Sequence, residues 1–156
     1  MKESSVLPAR LVGNNHVAPT VTDLDRSSAW YCDLFGLTVV SNDENVGPPY
    51  FTDVRYNGLF DLTTYSYVIA LCQHRDPQGG PFDARRPGLD HVGFHVPERG
   101  DLDDWVRRLD ERGIAHSGIT EAPYASVISF RDPDGIALEL MYVKLDFWTG
   151  LITRVT

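Results

Sequence analysis

The chain repeats itself. Setting Asn14-Asn15-His16-Val17 over Leu89-Asp90-His91-Val92 gives an offset of 91 − 16 = 75. At that offset Val21 meets Val96, Trp30 meets Trp105 and Leu34 meets Leu109. A two-residue slip then brings Gly36-Leu37 onto Gly113-Ile114, and Pro49-Tyr50 lies near Pro123-Tyr124. An internal repeat of this kind predicts two supersecondary units that bury their apolar faces together, each being too small for a comfortable core alone. The stretch from Arg75 to Gly88 is rich in Pro, Gly and charge and reads as a surface connection. The expected organisation is one domain over 1–156. The first module covers about 10–74, the connection 75–88, the second module about 89–143, and a tail 144–156.

Within each half the periodicity switches. Residues 15–21 and 90–96 are short, Val-rich and bounded by turn residues, which predicts strands. Pro19 has no N–H for a ladder, so the first strand must be an edge, be bulged or end there. A helical stripe follows in each half. Leu24, Ser27, Ser28, Tyr31, Leu34 and Phe35 make the first, after Thr22 and Asp23 as candidate N-caps. Leu102, Trp105, Val106 and Leu109 make the second, with Asp101, Asp103 and Asp104 at its N-terminal end. Trp30 and Trp105 sit on these stripes and are assigned to the core. Gly36 and Gly113 occupy helix C-terminal positions. Further strands are expected at 37–41, 51–57 and 65–73, and at about 115–119, 125–131 and 136–143. Asp132-Pro133-Asp134-Gly135 supplies the turn between the last two. Each half therefore reads β-α-β-β-β.

Strand alternation then sorts the side chains. Val92, Phe94 and Val96 share one face, and His91, Gly93 and His95 the other. Val17, Pro19 and Val21 oppose His16, Ala18 and Thr20. In the last strand Leu138, Leu140 and Tyr142 oppose Ala137, Glu139 and Met141. His16, His91 and Glu139 thus fall on faces away from the helices. A glutamate between two leucines loses solvation unless it is paired, exposed or bound to a cation. Two imidazoles and a carboxylate make a donor set for a first-row divalent metal.

Charge narrows the partners. Lys and Arg number 14 against 22 Asp and Glu, a net charge of −8. Binding to nucleic acid or to an anionic membrane surface needs clustered cations, so neither is expected. The longest purely apolar run, Tyr67 to Cys72, is six residues, against roughly 20 for a membrane span. The first ten residues contain no apolar signal region. Two cysteines, Cys32 and Cys72, form no metal-binding spacing and suit a reducing cytoplasm.

Four segments together resemble the vicinal oxygen chelate superfamily, which contains glyoxalase I, bleomycin-resistance proteins, fosfomycin-resistance enzymes and extradiol dioxygenases. They are the run from His16 to Asp25, Ala29 to Leu37, Gly88 to Val96, and Phe130 to Leu140. The resemblance implies an α+β fold in which two βαβββ modules form a curled mixed sheet around a cavity, with the helices on the outer face. It implies His16, His91 and Glu139 as the ligands of one divalent ion, Fe(II), Mn(II), Ni(II) or Zn(II). Several members carry a fourth donor on the last strand of the first half. Here that position falls near Ala70, which weakens a glyoxalase I reading and leaves a His-His-Glu set similar to that of extradiol dioxygenases. The potassium loop of fosfomycin-resistance enzymes is not recognisable. Members of the superfamily often dimerise, so a homodimer is expected.

The expected activity is that of a metal-dependent enzyme on a small molecule chelated through neighbouring oxygens, a lyase, isomerase or ring-cleaving oxygenase. The alternative is a metal-free protein that sequesters an antibiotic or another planar compound. His95 is the candidate general acid or base. Tyr50, Tyr67, Tyr124, Arg131 and His74 are candidate substrate contacts, the tyrosines as an aromatic wall and Arg131 as an anchor for an anionic group. The tail, with Phe147, Trp148, Leu151 and Ile152, would cover a cavity mouth or a dimer surface.

Overall fold

The structure, a computed structural model, describes residues 16–46, 52–59, 67–77 and 80–146. Their order in the first half is β1 (His16–Val17), α1 (Leu24–Phe35), β2 (Thr38–Val46), β3 (Thr52–Leu59) and β4 (Tyr67–His74). In the second it is β5 (Val92–His95), α2 (Asp101–Glu111), β6 (Thr120–Glu121), β7 (Ala125–Arg131) and β8 (Ala137–Val143). The duplication is thus visible in the fold. Each half makes its own four-stranded sheet, in the orders β1-β4-β3-β2 and β5-β8-β7-β6. In both, the first strand runs parallel to the last and the remaining pairs are antiparallel. The fold is α+β with two similar modules, as the repeat implies.

Local chemistry explains the departures in strand limits. The expected strand 15–21 shrinks to His16–Val17, because Pro19 has no N–H to offer. The chain rejoins β4 beyond it, with Cys72 N donating to Pro19 O and Val21 N donating to Cys72 O. The strand expected near 115–119 forms instead at Thr120–Glu121. Before it, His116 makes only an isolated bridge to Phe130.

Helix α1 starts where Asp23 accepts from Arg26 N at 2.9 Å, an N-cap that satisfies one of the otherwise unpaired amides. It stops at Gly36, whose φ of 69° is the left-handed C-cap conformation that a Cβ disfavours. Arg108 of α2 donates to Leu34 O at 2.7 Å and to Asp33 O at 2.8 Å, placing a cation at the negative end of α1.

The two modules share one core. Leu24, Tyr31 and Leu34 of α1, Ile69 and Leu71 of β4, Leu102 and Leu109 of α2, and Leu138 and Leu140 of β8 belong to the same buried cluster. Phe35 is the joint, its ring centroid 4.8 Å from Phe94, 5.7 Å from Trp105 and 6.5 Å from Phe130. Trp30 and Trp105 both pack against this cluster, partly buried. Polar contacts fix the register between modules. Tyr31 Oη donates to Asp132 Oδ2 at 3.0 Å, and Asp134 accepts from Arg26 at 2.7 Å and from Ser27 at 3.1 Å. Each helix thus covers its own sheet and meets the other module. Among the described residues no helix is long and apolar enough to cross a membrane.

Candidate functional site

The face of the second sheet turned away from α2 carries a built cluster. His91 stands just before β5, Gly93 is the register partner of Glu139 on β8, and Ser129 of β7 is its partner on the other side. His91 Nε2 lies 3.5 Å from Glu139 Oε2. The other atom of each group is already engaged. His91 Nδ1 is 2.7 Å from Asp90 Oδ1, and Ser129 Oγ donates to Glu139 Oε1 at 3.1 Å. The Asp90 carboxylate, with help from Glu139, holds the His91 imidazole above its ordinary pKa against a smaller opposing effect of burial. These two groups line a cleft of about 460 Å³ with Arg131, Ser129, His116, Ser117 and Ala84.

This arrangement fits two ligands of a divalent ion. One imidazole nitrogen and one carboxylate oxygen face each other, each braced from behind, the pattern by which outer partners orient metal ligands. His116 belongs to the wall rather than the donor set. Its Nδ1 accepts from Gly118 N at 3.1 Å and its Nε2 lies 3.2 Å from Asp110.

His16 is elsewhere. It lines a second cleft, about 620 Å³, with Val17, Phe35, Tyr67, Phe94, His95 and Trp105. Within this chain His16 therefore does not join His91 and Glu139, and among the described residues no group of three His, Cys, Asp or Glu converges. β1 is paired into the first sheet, whereas His91 and Glu139 belong to the second, and His16 and that pair line separate clefts.

The remaining candidates divide in the same way. Arg131 shares the cleft of His91 and Glu139. His95 and Tyr67 share that of His16. Burial pushes the Tyr67 hydroxyl up to about 12, so it is a neutral donor at physiological pH. His74, at the end of β4, and Tyr124, exposed before β7, line neither cleft. Tyr50, and Phe147, Trp148, Leu151 and Ile152 of the tail, lie outside the described residues. Ala70 is buried on β4 opposite Tyr56.

Asp90 and Ser129 were not among the sequence candidates. Ser129 was within reach of the turn: counting outward from Asp132-Pro133-Asp134-Gly135 pairs Arg131 with Ala137 and Ser129 with Glu139. Asp90 shows no such signal beyond its place beside His91.

The model of the Glyoxalase/Bleomycin resistance protein/Dioxygenase superfamily matches residues 13–140. The chain belongs to that superfamily. Its match spans both modules and includes His16, His91 and Glu139. Among similar proteins, the uncharacterized protein YaeR of Escherichia coli is 32% identical over 129 residues, 81% of this chain and 92% of YaeR. Biphenyl-2,3-diol 1,2-dioxygenase 3 of Rhodococcus globerulus is 29% identical over 128 residues, 80% of this chain but only 60% of that enzyme. A crystal structure of a glyoxylase/bleomycin resistance protein/dioxygenase domain from Frankia sp. EAN1pec superposes with a TM-score of 0.74 at 33% identity. It covers 86% of this chain and 100% of the Frankia chain.

Proposed function

We propose that this protein is a metal-dependent enzyme whose His91 and Glu139 hold one divalent ion together with His16 of a second copy of the chain. The observation that carries this is the His91–Glu139 pair, braced by Asp90 and Ser129 and lining one cleft. His16 lies exposed on an edge strand of the other sheet. A two-fold dimer that brings the first sheet of one copy over the second sheet of the other completes two equal sites at once. Likeness to a relative named for a diol substrate supports a ligand with neighbouring oxygens.

A divalent ion held there supplies Lewis-acid polarisation of two adjacent substrate oxygens. The chain's own groups do the rest. Asp90 keeps the His91 Nδ1 proton in place, so Nε2 faces Glu139. Ser129 holds Oε1 of Glu139 and leaves Oε2 turned to His91. His16 brings His95 with it, because both line one cleft, and His95 is then the candidate proton carrier on the His16 side of the assembled site.

Metal analysis after loading with Fe(II), Mn(II), Ni(II) or Zn(II) tests this reading. The expected result is about one ion per chain, lost in Glu139→Ala while the circular dichroism spectrum is unchanged. A chain that stays metal-free under all four ions overturns it.

A further inference from the structure

Arg26, Arg55, Arg85, Arg99, Arg107 and Arg112 each lie against a carboxylate. Arg131 does not. Among the described residues its contacts are a carbonyl and a ring: Nη1 donates to Gly135 O at 2.8 Å, and the guanidinium sits 5.8 Å from the Phe82 ring centroid. Both contacts orient the cation without cancelling its charge. The chain has carboxylates to spare, at a net charge of −8. Yet among the described residues this cation makes no ion pair, and it stands in the cleft of the candidate metal pair.

Its placement is specific. Ser129 pairs with Glu139 and Arg131 with Ala137, so Arg131 stands two residues along β7 on the face that carries Glu139. Two strand residues span about 7 Å, the length of one aromatic ring or a short carbon chain. One of the guanidinium's five N–H donors serves Gly135, which leaves a planar edge for a bidentate acceptor. Phe82, which steadies it, comes from the connection between the modules, and Ala84 of the same segment lines the cleft.

We propose that the substrate of the His91–Glu139 cleft carries a carboxylate at the end remote from its two neighbouring oxygens, and that Arg131 binds this carboxylate. The inference rests on the metal-dependent reading above. Arg131 is then a specificity-determining residue, and the inter-module connection sets its aim.

The test uses the metal-loaded full chain and three probes that share one diol: 3,4-dihydroxybenzoate, its uncharged isostere 3,4-dihydroxybenzamide, and catechol, which lacks the substituent. Dissociation constants are read by calorimetry. The unaltered chain is expected to bind the acid about tenfold tighter than either neutral probe. Arg131→Gln should remove that preference while its affinity for catechol stays the same, and Arg131→Lys should keep part of it. If the unaltered chain binds all three alike, the Arg131 assignment falls and the metal reading stands. A preference for the acid that survives in Arg131→Gln also overturns the assignment. If the loaded chain binds none of the probes, the chelation reading falls and takes this inference with it. The comparison of acid with amide on the unaltered chain decides the question even if a variant folds poorly.

Discussion

Asp90 Oδ1 lies 2.7 Å from His91 Nδ1, and this contact decides which imidazole nitrogen faces Glu139. With Nδ1 engaged, Nε2 is the atom turned to the carboxylate 3.5 Å away. Removing Asp90 frees the ring to choose either tautomer and either orientation. Asp90→Ala should therefore weaken zinc binding about 10- to 100-fold. Its thermal stability should stay close to that of the unaltered chain, because Asp90 is exposed. Competition with a chelating dye measures the first, and a melting curve the second. Unchanged zinc affinity would take Asp90 out of the site.

The modules are joined by a buried hydrogen bond between α1 and the β7–β8 turn. Tyr31 is 1% exposed and Asp132 6%, so water cannot replace the bond between them. Burial, and the charges of Asp132 and Asp134, keep the Tyr31 hydroxyl protonated and donating. Tyr31→Phe removes the donor but leaves the ring packing intact. The expected loss is about 1–2 kcal/mol of unfolding free energy, since Asp132 keeps its bonds from Asp134 N and Ile136 N. Urea unfolding checks it, and no change in the midpoint would mean that the contact does not bind the halves together.

Glu121 predicts how acid affects stability. It accepts from Lys144 at 2.8 Å, from Ser126 at 2.7 Å and from Arg99 at 3.0 Å. These partners, Lys144 first, hold its carboxyl down from 4.5 to about 2. The folded chain thus binds this proton more weakly than the unfolded chain. The resulting stabilisation is complete above pH 4.5 and is lost as pH falls towards 2. Glu121→Gln should be less stable than the unaltered chain at neutral pH, and the gap should close across that window. Melting both proteins over this pH range tests it, and a gap that stays constant in acid would contradict the assignment.

Most of the architecture was legible in the chain because the repeat is explicit. His16 and His91 mark equivalent points, and the helix stripes, Gly36 and the Asp132–Gly135 turn all sit where the structure uses them. Glu139 stood out because a carboxylate between two buried leucines needs a reason. The limits were equally physical. Period-two alternation tells which face a side chain takes but not which sheet lies opposite that face. His16 and His91 therefore read as neighbours from their equivalence, although β1 and β5 belong to separate sheets. The same limit hid the division of His95 from Arg131, which occupy different clefts. Ser129 and Asp90 were harder to see because their roles come from a register and from a side-chain rotamer, neither of which composition records.

The claim that a second copy supplies His16 can be tested by complementation. His16→Ala and Glu139→Ala chains each form homodimers in which both sites lack a ligand. Mixed and reassembled, they form heterodimers with one site broken twice and one intact. The account predicts no tightly held metal in either variant alone, and roughly one ion per four chains in a statistical one-to-one mixture. A mixture as metal-free as its two components would contradict it, and so would His16→Ala chains that hold a full complement of metal by themselves.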